Sequence, residues 1–162
     1  MKQAWIRWTM ISALGAAALS AQVPKGQGYV YQAVGATGYD RWASVLGATG
    51  GGGEGVFWKG LGMGADLGVF YPYRYIHGAI GAAGISATYH FNAGREDTKW
   101  DPFLVGGYTL FFRSGTANGA HWGGGVTYWM HRRVGARVEF RDQRSIQEAI
   151  AFPSVRFGLS FR

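Results

Sequence analysis

The stretch Pro153-Ser154-Val155-Arg156-Phe157-Gly158-Leu159-Ser160-Phe161-Arg162 decides the fold. Its odd positions carry Val155, Phe157, Leu159 and Phe161, and its even positions carry Arg156, Gly158, Ser160 and Arg162. Side chains alternate across a β-strand, so this segment predicts a strand with one apolar and one polar face. The preceding segment repeats the pattern. Val134, Ala136, Val138 and Phe140 share one face, while Gly135, Arg137, Glu139 and Arg141 share the other. The open question is which face meets the solvent, and whether that solvent is water or lipid.

The chain has 162 residues, enough for one domain. It holds 28 glycines, too many for a helical bundle, and only 15% charged residues against 16% aromatics, too few charges for a disordered tail. The first residues read as an export signal. Lys2 and Arg7 form a basic start, Trp8 to Leu19 an apolar run, and Ala18-Leu19-Ser20-Ala21 a small-residue cleavage region. Cleavage is expected after Ser20 or Ala21, dividing the chain into a signal peptide at 1–21 and a barrel domain at 22–162. The run is short for a spanning helix, and no later stretch reaches about 18 continuous apolar residues. There is no cysteine, so no disulfide framework is expected. The net charge of +7 falls to +5 without Lys2 and Arg7. On an exported protein that charge points to anionic envelope partners, with no nucleic acid expected.

From Gly28 onward the periodicity predicts eight strands: 28–37, 45–59, 61–71, 80–91, 101–112, 121–130, 134–142 and 154–161. These lengths suit tilted transmembrane strands of about 9–11 residues. Aromatics gather at strand ends: Tyr29, Phe57, Trp58, Phe103 and Trp129 at one, Trp42, Tyr71, Phe111, Trp122 and Phe152 at the other. Two such belts are expected where rings meet membrane–water interfaces. Connections at one end (38–44, 72–79, 113–120, 143–153) are predicted longer than those at the other, 92–100 excepted. That difference fits outer loops and periplasmic turns.

A soluble small barrel would share the alternation, with its apolar face inward. Three features favour lipid outside. Past the signal, lysine occurs only as Lys25, Lys59 and Lys99, in a terminus or turns. The polar face is rich in glycine (Gly50, Gly52, Gly64, Gly68, Gly125 and others), which leaves room for a few large charged groups in a narrow lumen. The chain also ends on an aromatic-capped strand.

The last strand, Val155 to Arg162, looks like the terminal strand signal of outer-membrane β-barrels, in which alternating apolar residues and a final aromatic are read by the barrel insertion machinery. Here the signal residues would be Val155, Phe157, Leu159 and Phe161, with Arg162 standing where the family usually has Phe. Gly123 to Trp129 and Arg137 to Asp142 also resemble small outer-membrane barrel domains. The chain past its signal is thus similar to small OmpA/OmpX-type proteins. The resemblance implies an all-β, eight-stranded antiparallel up-and-down transmembrane barrel in the outer membrane. It also implies outer-membrane lipid and lipopolysaccharide as surroundings, and a monomer. Members with a peptidoglycan-binding module carry it after the barrel, and no such module is expected here.

Motifs for chemistry are weak. His77, His90, His121 and His131 show no HExxH or paired spacing, so no metal site is expected, and His90 and His121 read as polar residues at strand ends. Gly50 to Gly55 matches GxGxxG only as a polyglycine run with no helix after it. No His-x-Ser occurs, as lipid-deacylating barrels would carry. No cofactor and no catalytic residue is expected. The best constellation is Glu54, Asp66, Arg137, Glu139, Arg141 and Arg156, which alternation places on the glycine face. Buried there, these charges must pair. The expected function is a non-enzymatic barrel with an envelope-structural or surface-contact role through its outer loops. A narrow pore, a lipid A-modifying enzyme and a soluble ligand-binding barrel are the alternatives.

Overall fold

A computed structural model describes residues 25–39, 42–72, 78–93, 95, 98–146 and 151–162. The export signal and its cleavage region lie outside the described residues, as does His77. The described chain forms β1 (Lys25–Tyr39), β2 (Trp42–Trp58), β3 (Leu61–Pro72), β4 (Ile80–His90), β5 (Trp100–Phe112), β6 (Thr116–Trp129), β7 (Val134–Ser145) and β8 (Ala151–Phe161). Each strand pairs antiparallel with its sequence neighbour, and β1 pairs with β8, giving a closed barrel. Closure leaves no free edge, so every ladder hydrogen bond is made within the wall. The near rim is defined by the start of β1 and the end of β8, and the far rim lies opposite.

The solvent question is answered by which side chains are exposed. Val30, Val34, Met63, Leu67, Ile85, Leu104, Val138, Phe157 and Leu159 stand outward and open, while Glu54, Asp66, Arg137, Glu139, Arg141 and Arg156 are buried inside. A water-soluble barrel has the reverse arrangement. An apolar outer wall around a charged interior is stable only in hydrocarbon, so the barrel is a transmembrane one.

The strands run further than the periodicity predicts, chiefly at the far rim. β6 starts at Thr116 and not His121, β7 continues to Ser145, and β1 and β2 pair out to Tyr39↔Trp42. Hairpin pairing continues as long as each backbone group finds a partner, whether or not the side chains still alternate in polarity. The far-rim connections 40–41 and 113–115 are therefore short, and the longest near-rim connection, 91–99, exceeds them. Apart from that connection, the expected contrast holds for 73–79 and 146–150 and fails for 40–41 and 113–115, which are no longer than the near-rim connection 130–133. At Lys59-Gly60 the φ angles are 44° and 95°. Two successive positive values make the two-residue turn whose twist matches a hairpin.

Several aromatics assigned to belts turn inward. Tyr29, Phe103, Phe111 and Trp129 are buried. Each shares its strand's lumen face and lies against a glycine. A Cβ on Gly52 would come within 2.8 Å of the Tyr29 hydroxyl, and one on Gly125 within 2.8 Å of Phe103. The glycines thus make room for rings as well as for charges.

Candidate functional site in the barrel lumen

The lumen has two layers. Towards the far rim it is filled by Ala33, Ala48, Phe70, Ala82 and Phe111, with Phe152 packed against them, and Tyr31 and Tyr29 continue this cluster down to the charged layer. The rings of Phe70, Phe111 and Phe152 lie 5.5–6.2 Å apart in tilted and edge-on pairs.

Towards the near rim a chain of ion pairs crosses the interior. Arg137 NH1 donates to Glu54 Oε1 (2.7 Å), and its Nε and NH2 donate to Glu139 Oε2 (3.2 and 3.1 Å). Arg141 Nε donates to Glu139 Oε1 (2.5 Å) and its NH1 to Asp66 Oδ2 (2.7 Å). Arg156 NH1 stands 3.9 Å from Asp66 Oδ1, and its NH2 donates to Gln143 Oε1 (3.0 Å). The six residues singled out by alternation form one alternating series: Glu54, Arg137, Glu139, Arg141, Asp66, Arg156. Acids from β2, β3 and β7 meet guanidiniums from β7 and β8, so the series ties strands from opposite walls. Two guanidiniums also lie over rings, Arg137 over Phe103 (3.9 Å) and Tyr29 (4.4 Å), and Arg156 over Tyr31 (4.3 Å). A desolvated cation over a ring face adds attraction at these separations.

The sequence reading missed several members. Gln27 donates to Glu54 Oε1 (2.6 Å). His90 lies between two carboxylates, with Nδ1 2.9 Å from Asp101 Oδ2 and Nε2 3.3 Å from Glu54 Oε2. His90 thereby joins Asp101 of β5 to the series. Alternation places Gln27 on the face of Tyr29 and Asp101 on that of Phe103, so their orientation was readable. Their partners lie on strands distant in sequence and were not.

His121 sits well inside β6 and not at a strand end. Ser86 Oγ lies 2.9 Å from His121 Nε2, and Thr109 Oγ1 lies 2.8 Å from His121 Nδ1. The arrangement has the order of a catalytic relay, but threonine stands where an acid would orient the imidazole. All three side chains are buried in the wall. Among the described residues no group of three or more His, Cys, Asp or Glu could hold a metal ion. His131 is exposed in the 130–133 connection. A cavity of about 310 Å³ opens under the series at the near rim, lined by Gln27, His90 and Asp101 on its polar side and by Phe57, Trp58 and Trp129 on its apolar side. The signal residues Val155, Phe157, Leu159 and Phe161 all point outward from β8.

A closed eight-stranded barrel with a lipid-facing wall and a charged, filled lumen has the fold of small outer-membrane barrels. Comparison with solved structures agrees. Neisserial surface protein A has a TM-score of 0.70 at 14% identity, over 84% of this chain and 96% of that one. The N-terminal barrel of Pseudomonas aeruginosa OprF has a TM-score of 0.56 at 16% identity, over 85% and 100%. Ail of Yersinia pestis, solved with the heparin analogue sucrose octasulfate, has a TM-score of 0.62 at 9% identity, over 86% and 99%. No protein-family model and no curated protein sequence matches the chain.

Proposed function

We propose that this chain is an exported outer-membrane protein that acts without catalysis, holding its far-rim connections at the cell surface on a rigid, plugged barrel. The filled lumen carries this reading. Aromatic packing and the ion-pair series occupy the interior that a pore would leave open, and eight strands enclose just enough space for side chains to fill. The burial of Ser86, His121 and Thr109 supports a non-enzymatic role, since a nucleophile must reach its substrate. In this reading residues 1–21 are the export signal, and the outward face of β8 is what the insertion machinery recognises. In this reading the far rim meets lipopolysaccharide. Ail, with a similar fold, takes a sulfated sugar. The barrel is a monomer.

The test is surface display. A tag inserted at 147–149 is expected to be reached by antibody on intact cells, and one at Lys59-Gly60 only after permeabilisation. The protein is expected in the outer-membrane fraction, migrating faster on a gel before boiling than after. A reversed tag pattern, or unitary conductance in planar bilayers, would overturn the reading.

A further inference from the structure

The two rims differ in charge. Near-rim connections and strand ends expose Lys59, Arg95, Lys99, Arg132, Arg133 and Arg162. The same connections contain two acids, Glu96 and Asp97, so the rim is strongly positive even with both counted. The third acid nearby, Asp101, turns inward to His90. The far-rim connections and strand ends hold Arg41, Arg74, Arg113 and Arg144 against Asp40, Asp142 and Glu148, and Arg144 pairs with Asp142 at 2.9 Å.

Three of the near-rim cations adjoin exposed aromatic or apolar side chains, while Arg162 lies over the buried ring of Trp129 (4.1 Å). Lys59 lies over Trp58 (5.5 Å), Lys99 precedes Trp100, and Arg132 follows Met130 by two residues. Trp100 and Phe91 are more than half exposed and Phe161 nearly so, and Phe57 and Trp58, which also border the near-rim cavity, are more than half exposed at the rim. Tryptophan rings settle at headgroup level in a bilayer, which puts the adjoining cations at the height of the lipid phosphates. A collar of cations held there, with few acids to neutralise it, matches a sheet of anionic headgroups.

We infer that the near rim is a docking collar for anionic phospholipid headgroups, so that this end of the barrel selects negatively charged lipid in the leaflet it faces. The collar is separate from the far-rim surface contacts. The partner is a lipid surface and not an anionic polymer, because Lys59 lies on the exposed ring of Trp58 and Lys99 and Arg132 stand beside exposed Trp100 and Met130, at the level of the aromatic belt.

The experiment uses the refolded full barrel in bilayers of phosphatidylcholine and phosphatidylglycerol of equal chain length. Tryptophan quenching by brominated forms of each lipid gives their relative binding constants. The wild type is expected to prefer phosphatidylglycerol by roughly threefold or more at low salt, with the preference shrinking as salt is raised. The combined Lys59→Gln, Lys99→Gln, Arg132→Gln, Arg133→Gln variant is expected to lose the preference, and Arg113→Gln with Arg144→Gln to keep it. Gel migration before boiling verifies that each variant is folded. The wild-type salt series stands by itself should the fourfold variant not fold. Equal binding of the two lipids, a preference indifferent to salt, or a preference that survives in the folded fourfold variant would overturn the inference. Retention on peptidoglycan sacculi without any lipid preference would overturn it in favour of a polymer.

Discussion

Glu139 and Arg156 face each other across the β7–β8 ladder but do not pair. Glu139 is occupied by Arg137 and Arg141, its neighbours two residues away on the same strand face. Arg156 reaches instead to Gln143 and towards Asp66, and lies on the ring of Tyr31. Strand adjacency predicts three cations around Glu139. The series instead places one carboxylate between each pair of guanidiniums, which spreads the negative charge along the lumen. This difference sets the relative cost of removing each member.

Glu139→Ala is expected to destabilise the barrel by about 3–5 kcal/mol, because it removes the carboxylate that two buried guanidiniums share and leaves the series with more cations than acids. Arg133→Ala, on the exposed near rim, is expected to change stability by less than about 1 kcal/mol. Glu139→Gln should fall between them, since it keeps the shape and loses the charge. Urea unfolding of the refolded protein in lipid, followed by tryptophan fluorescence, measures all three. Equal unfolding midpoints for Glu139→Ala and Arg133→Ala would mean that the series contributes nothing.

Arg141→Met is expected to cost more than Arg156→Met. Arg141 joins two carboxylates at 2.5 and 2.7 Å. Arg156 Nε and NH1 make no hydrogen bond among the described residues, and its nearest carboxylate is 3.9 Å away. The expected costs are about 3–5 kcal/mol for Arg141 and about 1–2 kcal/mol for Arg156. The same unfolding assay ranks them, and the reverse order would contradict the geometry.

Val138→Arg is expected to cost about 2–4 kcal/mol if it lies near the bilayer midplane, because it forces a cation into hydrocarbon. Val138→Leu is the fitting control. Gly135→Ser, a mild change if the lumen is roomy there, is not mild in this fold. A Cβ at Gly135 would meet Thr127 at 2.9 Å and Trp129 at 3.0 Å. Comparing folded fractions in bilayers by gel migration before boiling separates the variants.

Gly50→Val is expected to cost about 1–3 kcal/mol by overpacking. A Cβ there would clash with the Leu67 carbonyl oxygen and stand 2.6 Å from the Tyr31 hydroxyl. Moving Tyr31 also disturbs the ring under Arg156, so a double-mutant cycle with Tyr31→Ala should show coupling. Additive effects would mean that the glycine does not serve the ring.

The sequence by itself determined the strand count, the up-and-down order and the inward side of Glu54, Asp66, Arg137, Glu139, Arg141 and Arg156, while Asp142, on the parity of Val138 and Phe140, is buried against the alternation. Alternation is a local property, and a one-residue slip would turn Val155, Phe157 and Leu159 from lipid to lumen. It also showed that glycine would share the inner face with Arg137, Glu139 and Arg141. What it could not show was partnership. Glu54 and Arg137 are 83 residues apart, and Asp66 and Arg141 are 75. Only closure of β1 on β8, with the tilt and stagger of the wall, decides which groups meet across the lumen. Alternation sends Tyr29, Phe103 and Trp129 inward as filling and not belt, and closure decides what each ring meets there. The fit depends on whether the facing strand offers a glycine. It likewise gave His90 its two carboxylates, one from β2 and one from β5, which no spacing along the chain announces.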